Sequence, residues 1–485
     1  MLRLDDVLSG VQAEADRRMP SIPRTLVQVA FSEAVIDSRL ATPDCLFVAL
    51  RGERVDGHDF VADAAARGAR GALVRRERAA HLLPGRPRVV VDPTTGAGLE
   101  QATPATMLLI AVDEPQAALN RLASYHRRRF NPTVIGITGS VGKTSTKEVT
   151  SSVLQRSFRT LKNPRSYNSE ATMPIVLLKL TAEHHVAVLE MGMYGPGEIA
   201  HLADLARPRL GIVTNVGPSH LERMGSIEAI QRAKSELPRA LPEDGYAILN
   251  IDDPLVRVMA DVTRATPFFY GLDPAADLWA DAIESRGLQG VSFRAHYQGD
   301  TVHLTLPLLG RHSVHTALAG AAAGLLLGME WEAIIDGLRD EKAQLRLLAV
   351  PGVNQTTLID DTYNASPAST LAALNLLAEL DGRRIAILGD MLELGSIEET
   401  AHRRVGARAA EVLQELIAVG QRARWIADEA LQAGMPRDRV HMVADNDAAA
   451  ALAHTRIAPG DYILVKGSRG MAMESIVAQL QRRDP

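Results

Sequence analysis

A glycine loop between an apolar strand and a helix carries the clearest chemical signal in this sequence. Residues 133–138 are mostly β-branched, as in a buried parallel strand, and apolar residues recur at near-helical spacing after the loop. The N–H groups of such a loop attract anions, so Lys143 would reach the phosphates of a nucleotide and the Thr144 hydroxyl would ligate Mg²⁺. The predicted nucleotide-binding residues are Thr138, Gly139, Ser140, Val141, Gly142, Lys143, Thr144 and Ser145.

The loop departs from the common phosphate-binding pattern at one position. Ile137 stands five residues before Gly142, where that pattern has its first glycine. A glycine turn that binds no nucleotide is therefore the alternative interpretation. The strand before the loop and the helix after it favour a nucleotide.

Polar residues follow several other apolar runs, and those runs predict the strands of α/β units. Glu190 follows residues 185–189, and His220 comes shortly after residues 210–216. Because ligands of open α/β sheets bind beyond the carboxyl ends of the strands, we expect these side chains to converge on the nucleotide. Helical patterns separate the runs, which predicts an α/β fold with mainly parallel sheets.

Glu190 and His220 are the candidate Mg²⁺ ligands. Magnesium prefers hard oxygen ligands and takes one or two carboxylates besides phosphate oxygens. A surface ion pair is the alternative for Glu190, and a structural or exposed histidine is the alternative for His220. Lys234 lies on a helix predicted over 227–237 and, taken alone, is expected to be a solvated charge. The segment 360–367 is either a hydrogen-bonding site or an ordinary turn rich in turn-forming residues.

Lysine is rare in this chain, because only seven of the 53 basic side chains are lysine. Where arginine is the usual cation, a retained lysine is a mild indication of a compact point charge or an amine nucleophile. Lys143, Lys234 and Lys466 lie in candidate motifs. Chance retention is the alternative for each of them.

The composition excludes several other classes of protein. A net charge of -5 gives no basic excess for binding nucleic acid, and the single cysteine, Cys45, excludes a disulfide framework and a cysteine-rich metal site. The acidic N-terminus lacks the apolar core of a signal peptide, and the most apolar run, 317–329, is too short to span a bilayer. We expect a cytoplasmic enzyme without membrane insertion.

The chain of 485 residues has room for about three domains, predicted at 1–131, 132–337 and 338–485. Each predicted domain has its own motifs, at 37–39 and 56–60, at 190–192, 214–222 and 233–234, and at 360–365, 388–395 with His402 and 465–469. Together with the glycine loop, these motifs resemble the Mur ligase family, the ATP-dependent amide ligases of peptidoglycan precursor synthesis.

The resemblance implies a small N-terminal α/β domain for the UDP end of the substrate, a central P-loop ATPase domain and a C-terminal Rossmann-like domain. Within the family, the third-domain motifs are most similar to members that join D-alanyl-D-alanine to UDP-N-acetylmuramoyl-tripeptide. ATP and two Mg²⁺ ions are implied as cofactors, and a monomer is expected. An amide ligase with a different amine acceptor, or less readily a non-catalytic nucleotide-binding homologue, is the alternative.

The resemblance also assigns roles to individual residues. Thr144, Glu190, His220 and Lys234 would hold Mg²⁺, Lys234 as a carbamate formed with CO₂. The implied catalytic residues are Lys143, Lys234, His220 and Arg346. The implied nucleotide contacts beyond the loop are Asp361 and His312, and the implied substrate contacts are Ser38, Arg39, Tyr363 and Asn364. One departure affects the adenine side, where Ser313 and Thr316 replace two asparagines usual in the family.

Overall fold

The apolar runs form buried strands in the structure, a computed structural model that describes residues 1–17, 20–52, 55–103, 105–164, 166–340 and 347–482. The first part of the chain contains strands β1 Leu2–Arg3, β2 Ala30–Phe31, β3 Ala34–Val35, β4 Leu46–Val48, β5 Gly71–Arg75, β6 Arg88–Val91 and β7 Met107–Val112. Its helices are α1 Leu4–Gly10, α2 Val61–Ala66, α3 Arg76–Ala79 and α4 Pro115–Arg127.

The central part begins with the strand that precedes the glycine loop. Its strands are β8 Thr133–Thr138, β9 Thr160–Lys162, β10 Val186–Glu190, β11 Leu210–Val213, β12 Tyr246–Asn250, β13 Thr266–Gly271, β14 Leu278–Ser285, β15 Val291–Tyr297 and β16 Asp300–Leu306. Its helices are α5 Lys143–Leu154, α6 Met173–Leu177, α7 Glu198–Ala206, α8 Leu221–Met224, α9 Ile227–Lys234, α10 Glu236–Ala240, α11 Pro254–Arg257, α12 Ser313–Leu326 and α13 Trp331–Leu338.

The last part alternates strands and helices. Its strands are β17 Leu348–Pro351, β18 Thr357–Asp361, β19 Arg384–Gly389, β20 Glu415–Val419, β21 Val440–Val443 and β22 Tyr462–Lys466. Its helices are α14 Pro367–Ala378, α15 Glu398–Val412, α16 Arg424–Gln432, α17 Asn446–Arg456 and α18 Glu474–Leu480.

The chain divides into two compact units. Unit 1 comprises Met1–Val134, Arg159–Met191 and Ala200–Pro208, and unit 2 comprises Ile135–Phe158, Gly192–Ile199 and Arg209–Pro485. Unit 1 contains a parallel sheet in the order β3-β4-β5-β7-β6, whose buried face carries an apolar cluster that includes Phe47 and Leu109. The three domains predicted from the sequence stay a prediction.

Unit 2 contains two sheets. In one of them β8, β11, β12, β13 and β14 run parallel, and β14, β15 and β16 then form an antiparallel ribbon. The other has the order β17-β18-β22-β19-β20-β21, with all neighbours parallel except β17 and β18. Apolar clusters cover both faces of this second sheet, which explains why its strands are continuous apolar runs.

The α/β fold and the mainly parallel sheets predicted from the sequence are confirmed. The helix predicted over 227–237 is divided, because α9 ends at Lys234 and α10 begins at Glu236. Pro238 has no N–H to donate to the carbonyl of Lys234, four residues earlier, so a continuous helix would lose that hydrogen bond. Among the described residues, no helix is both long and apolar enough to cross a membrane.

Candidate functional site

Two glycines give the nucleotide loop its shape. Gly139 has a φ of +148°, and a Cβ atom there would lie 1.9 Å from the Thr214 Oγ1. Gly142 has a φ of +87° and directly precedes α5. The first glycine allows close packing, and the second allows a left-handed turn into the helix without steric cost. The first N–H groups of α5 therefore follow directly after the loop, as in a phosphate-binding site.

The segment after β11 holds the loop in place. Thr138 and Val213 are register partners on neighbouring strands, which brings the following residues side by side. The Val141 N–H donates to the Asn215 Oδ1 at 2.9 Å, and the Asn215 Nδ2 donates to the Val141 carbonyl at 2.9 Å. The Thr214 hydroxyl donates to the same carbonyl at 2.7 Å. These bonds organise the loop before any nucleotide is bound.

Lys143 places its ammonium group at this loop. Its Nζ donates to the Gly139 carbonyl at 2.7 Å and to the Ser140 carbonyl at 3.2 Å. Thr144 lies in the first turn of α5 with only 7% of its surface exposed. A lysine at the N-terminus of a helix that follows a glycine loop is suited to bind the negative charge of a phosphate.

A cavity of about 400 Å³ adjoins the loop, within unit 2. Its lining includes Gly142, Ser145, Asn215, His312, Asp361 and Lys466. Of the predicted nucleotide residues, Val141, Gly142, Ser145, His312 and Asp361 line this cavity, whereas Thr138, Gly139, Ser140, Lys143 and Thr144 are not among its lining residues. This volume lies within the usual range for small-molecule sites.

Ser313 and Thr316 both line this cavity. The Ser313 hydroxyl donates to the Gly310 carbonyl at 2.7 Å, so it already has a partner within the protein. The nearby His315 Nε2 lies 2.7 Å from the Asp252 Oδ2. Burial raises the pKa of Asp252, but the hydrogen bonds from His315 and from a backbone N–H lower it more, and the net pKa is below the usual value.

Asp361 and Lys466 form an ion pair in the cavity wall, and both side chains are buried. The Lys466 Nζ also donates to the Asn364 carbonyl at 2.9 Å. The guanidinium of Arg469 lies over the Tyr363 ring, 5.3 Å from its centroid. Tyr363 and Asn364 are predicted to contact substrate. Their positions are therefore fixed by contacts with Arg469 and Lys466, at the end of β22.

His220 precedes α8 with a left-handed φ of 58°. Its Nδ1 lies 2.5 Å from the Glu393 Oε2. Burial lowers the pKa of His220, the charges of Lys143 and Lys234 lower it further, and Glu393 acts in the opposite direction. The net pKa lies below the usual value, which favours a neutral imidazole.

Lys234 is the last residue of α9 and only 2% exposed. Within the described parts of the chain, its ammonium has no ion-pair or hydrogen-bond partner. Burial, followed by the charge of Lys143, holds the pKa of Lys234 well below 10.5. The environment therefore favours the neutral amine, which is nucleophilic.

Glu190 ends β10 in unit 1 and has one carboxylate oxygen available to a cation. The Asn168 Nδ2 donates to the Glu190 Oε1 at 2.7 Å. The Oε2 is buried, and no described residue is its hydrogen-bond partner. Because an unsatisfied buried carboxylate oxygen is costly and Mg²⁺ prefers such oxygens, Glu190 fits the metal ion that the sequence predicts there.

Ser38 and Arg39 lie in unit 1, in the short helical turn after β3. Ser38 is buried, whereas the Arg39 side chain is 83% exposed and donates to Asp37. The Arg39 guanidinium lowers the pKa of Asp37 through these bonds. Both positions follow the carboxyl end of a strand, where ligands of parallel sheets bind.

Sequence reasoning did not identify Glu393, Asn168 or the role of Lys466 in pairing with Asp361. The rarity of lysine and the motif at 465–469 were the signals that pointed to Lys466. Glu393 lies in the motif at 388–395, but that motif by itself does not indicate a contact with His220. Arg346, predicted to be catalytic, lies outside the described residues.

Comparison with known families identifies three matching stretches. Mur ligase family models match in chain order: the family's catalytic domain at residues 32–127, the middle domain at 137–324 and the glutamate ligase domain at 345–469. These stretches cover most of the chain.

Full-length relatives agree with those matches. The UDP-N-acetylmuramoyl-tripeptide–D-alanyl-D-alanine ligase of Escherichia coli (strain K12) is 34% identical over 99% of this chain and 97% of that protein. A MurF crystal structure from Acinetobacter baumannii aligns with a TM-score of 0.80 and 29% identity, over 99% of this chain and 98% of that one. The MurF ligase of Thermotoga maritima, solved in complex with ADP, aligns with a TM-score of 0.74 and 25% identity, over 92% of this chain and 96% of that one.

Proposed function

The chain belongs to the Mur ligase family, and we propose that it joins D-alanyl-D-alanine to UDP-N-acetylmuramoyl-tripeptide with the cleavage of ATP. It is an ATP-dependent ligase that forms an amide bond. The observation that carries the proposal is the nucleotide cavity, which the glycine loop and the Asp361–Lys466 pair line together, in a chain whose full-length relatives are named for this reaction.

The reaction needs activation because a carboxylate is a poor electrophile. The terminal carboxylate of the tripeptide attacks the γ-phosphorus of ATP, which forms an acyl phosphate and releases ADP. The amine of D-alanyl-D-alanine then attacks the acyl carbon, the tetrahedral intermediate expels phosphate, and the amine loses a proton. No covalent enzyme nucleophile is required, which is consistent with a single, buried cysteine.

Lys143 is assigned to the transferred phosphate. Its ammonium, held at the loop carbonyls, offsets the negative charge that develops during phosphoryl transfer. The residues assigned to two Mg²⁺ ions are Thr144, Glu190, His220 and Lys234. Bound Mg²⁺ supplies electrostatic stabilisation of the phosphate oxygens. The unpartnered Glu190 Oε2 and the low pKa of His220 support this assignment.

Lys234 is assigned as a carbamate. Its neutral amine would attack CO₂ and release a proton, which converts a buried cation into an oxygen ligand. Arginine has no such chemistry at neutral pH. A carbonyl signal from ¹³CO₂ that is present in the wild-type NMR spectrum and missing from Lys234→Arg would support the carbamate. Equal spectra would contradict it.

The remaining assignments concern the nucleotide and the substrates. Asp361 and His312 line the cavity and are assigned to the nucleotide. Ser38 and Arg39 are assigned to the UDP end, in a domain proposed to span 1–131, and Tyr363 and Asn364 to the peptide end of the substrate. The central domain is proposed to span 132–337 and the last one 338–485, in a protein proposed to act as a monomer.

Phosphate release tests the function directly. The protein is incubated with ATP, Mg²⁺ and UDP-N-acetylmuramoyl-tripeptide, with and without D-alanyl-D-alanine. Release that depends on the dipeptide establishes both the ligase and its acceptor. Release that requires another amine would keep the chemistry and change the acceptor, and no release with any amine would contradict the proposal.

A further inference from the structure

Glu393 holds the His220 ring by its Nδ1 atom. The two residues are 173 positions apart in the chain, and the Nδ1 to Oε2 distance is 2.5 Å. An ionised carboxylate only accepts hydrogen bonds, so the hydrogen of this contact belongs to the Nδ1 of His220. When the ring carries a single hydrogen, that hydrogen is on Nδ1 and the Nε2 keeps its lone pair. This contact therefore selects one tautomer and one ring orientation.

The backbone of Glu393 itself makes a second contact, with the start of α8. The Glu222 N–H donates to the Glu393 carbonyl at 3.3 Å. Gly395 has a φ of +56°, and a Cβ there would lie 3.0 Å from the Glu222 Cα. The residues 390–395, which we call the Glu393 loop, thus meet the His220 segment at two points rather than one.

Two buried side chains, His402 and Ser468, also hold the Glu393 loop. The His402 Nε2 accepts from the Met391 N–H at 3.0 Å, and its Nδ1 lies 2.7 Å from the Glu398 carbonyl. The Ser468 hydroxyl accepts from the Leu392 N–H at 2.9 Å. Because the two residues before Glu393 have fixed backbone partners, its carboxylate is presented from a constrained position.

His220 is also within electrostatic reach of two cations of the nucleotide site. The charges of Lys143 and Lys234 both act on its ring. Tyr194 packs against it edge to face, with the ring centroids 5.2 Å apart. The hydrogen bond to Glu393 and the packing of Tyr194 together restrain the His220 ring.

We propose that Glu393 is a positioning residue, which orients His220 and fixes its tautomer so that the Nε2 lone pair is available to the cation of the nucleotide site. The inference rests on the proposed function, in which His220 holds Mg²⁺. Carboxylate partners of this kind fix the orientation of metal-binding histidines. Through Glu393, the arrangement of the metal site depends on the loop between β19 and α15.

Metal affinity is the first test. Binding of Mn²⁺ in the presence of ADP is measured by electron paramagnetic resonance, on wild type and on Glu393→Ala. We expect affinity to fall by about 10–100-fold in the variant, the usual effect of losing such a partner. Glu393→Gln keeps an acceptor oxygen and should recover most of the affinity.

Glu399→Ala is the matched control, since Glu399 is a half-exposed carboxylate nearby that pairs with Arg403. Its Mn²⁺ affinity should equal that of wild type. In the ligase assay, Glu393→Ala should lower kcat and leave the KM for D-alanyl-D-alanine unchanged. Wild-type Mn²⁺ affinity in Glu393→Ala would overturn the proposal.

A double-mutant cycle tests whether Glu393 acts through His220. His220→Ala and the combined His220→Ala/Glu393→Ala variant should bind Mn²⁺ with equal affinity, because the second change has nothing left to disturb. If the double variant instead lost the sum of the affinities lost in the two single variants, Glu393 would act independently of His220, and the proposal would be overturned.

The tautomer provides a readout that requires no catalysis. Nitrogen-15 NMR of the metal-free protein should show the Nδ1–H form of His220, assigned by its absence from His220→Gln, and Glu393→Ala should shift it toward the Nε2–H form. An unchanged spectrum overturns this proposal alone. A shifted spectrum in a protein without dipeptide-dependent phosphate release would contradict the proposed function alone.

Discussion

Asp361 and Lys466 are register partners at the ends of neighbouring parallel strands, and their side chains form a buried ion pair in the wall of the cavity that adjoins the glycine loop. The side chain of Lys466 is 1% exposed and that of Asp361 is 6% exposed. Two opposite charges removed from water in this way stabilise each other only as a pair. Either charge alone is costly in that position.

Replacement of Lys466 by methionine should therefore destabilise the protein strongly. The variant leaves the Asp361 carboxylate buried without its partner, and we expect a loss of about 3–5 kcal/mol in the free energy of unfolding. The double variant Asp361→Asn/Lys466→Met should recover most of that loss. Urea denaturation measures all three proteins.

Arg209→Met is the control for that experiment, because Arg209 and its partner Asp244 are both more than half exposed. The Arg209→Met substitution should lower the free energy of unfolding by no more than about 1 kcal/mol, as for other surface ion pairs. If Lys466→Met were no more destabilising than Arg209→Met, the pair would not carry the buried charge that we describe.

Replacement of Lys143 by alanine should lower the rate of ADP formation by about 10²–10³-fold or more, because a preorganised charge at the transferred phosphate is lost. The circular dichroism spectrum and thermal unfolding should match wild type. Lys179→Ala removes a partly exposed lysine that pairs with Glu33 and should leave the rate unchanged. Wild-type turnover in Lys143→Ala would remove Lys143 from the mechanism.

His402 should make the protein less stable below neutral pH. Burial lowers the pKa of this histidine below 6.5. Between the folded-state pKa and 6.5 the unfolded chain binds a proton that the folded chain does not, so stability falls as pH decreases, by up to about 1.4 kcal/mol per unit. Urea denaturation of wild type and His402→Gln from pH 5 to 7.5 measures the difference in slope. If the unfolding free energies of the two proteins changed in parallel with pH, His402 would not be buried as a neutral side chain.

Lys234 should give a stability that increases with pH on the alkaline side. Its folded-state pKa lies well below 10.5, so between that value and 10.5 the unfolded chain binds the extra proton. Stability then rises with pH by up to about 1.4 kcal/mol per unit in that window. In buffer free of CO₂, Lys234→Met should be more stable than wild type at neutral pH and lack this slope.

The half-exposed Lys179 serves as the comparison for Lys234. Lys179→Met removes a lysine whose side chain is 45% exposed in the folded protein, and its unfolding free energy is measured over the same pH range. If the unfolding free energy of Lys234→Met changed with pH in parallel with that of wild type between pH 7 and 9.5, the Lys234 amine would keep its ordinary pKa.

Sequence reasoning located the glycine loop and 11 of the 22 strands in the described part of the chain. The apolar run at 185–189 corresponds to β10, Val186–Glu190, and the run at 210–216 contains β11, Leu210–Val213. Strand β7, Met107–Val112, was not predicted, although all six of its residues are buried. The antiparallel ribbon of β14, β15 and β16 was not predicted either, because its partly exposed strands lack a continuous apolar run.

The sequence by itself determined the glycine loop, the α/β class and the family. These follow from local features, since Gly139 and Gly142 set backbone conformations at their own positions and Lys143 follows directly in the helix. Each such signal lies within a few residues, where side-chain type fixes the available φ and ψ angles.

Only the tertiary structure decided the partners and the protonation of the charged residues. Glu393 and His220 are 173 positions apart, and Asp361 and Lys466 are 105 apart, so their contacts depend on strand order and on the loops that follow the strands. Lys234 has the spacing of a solvated helix residue, yet folding removes it from water beside Lys143. A charge's pKa depends on desolvation and on neighbours in space, which no local sequence pattern specifies.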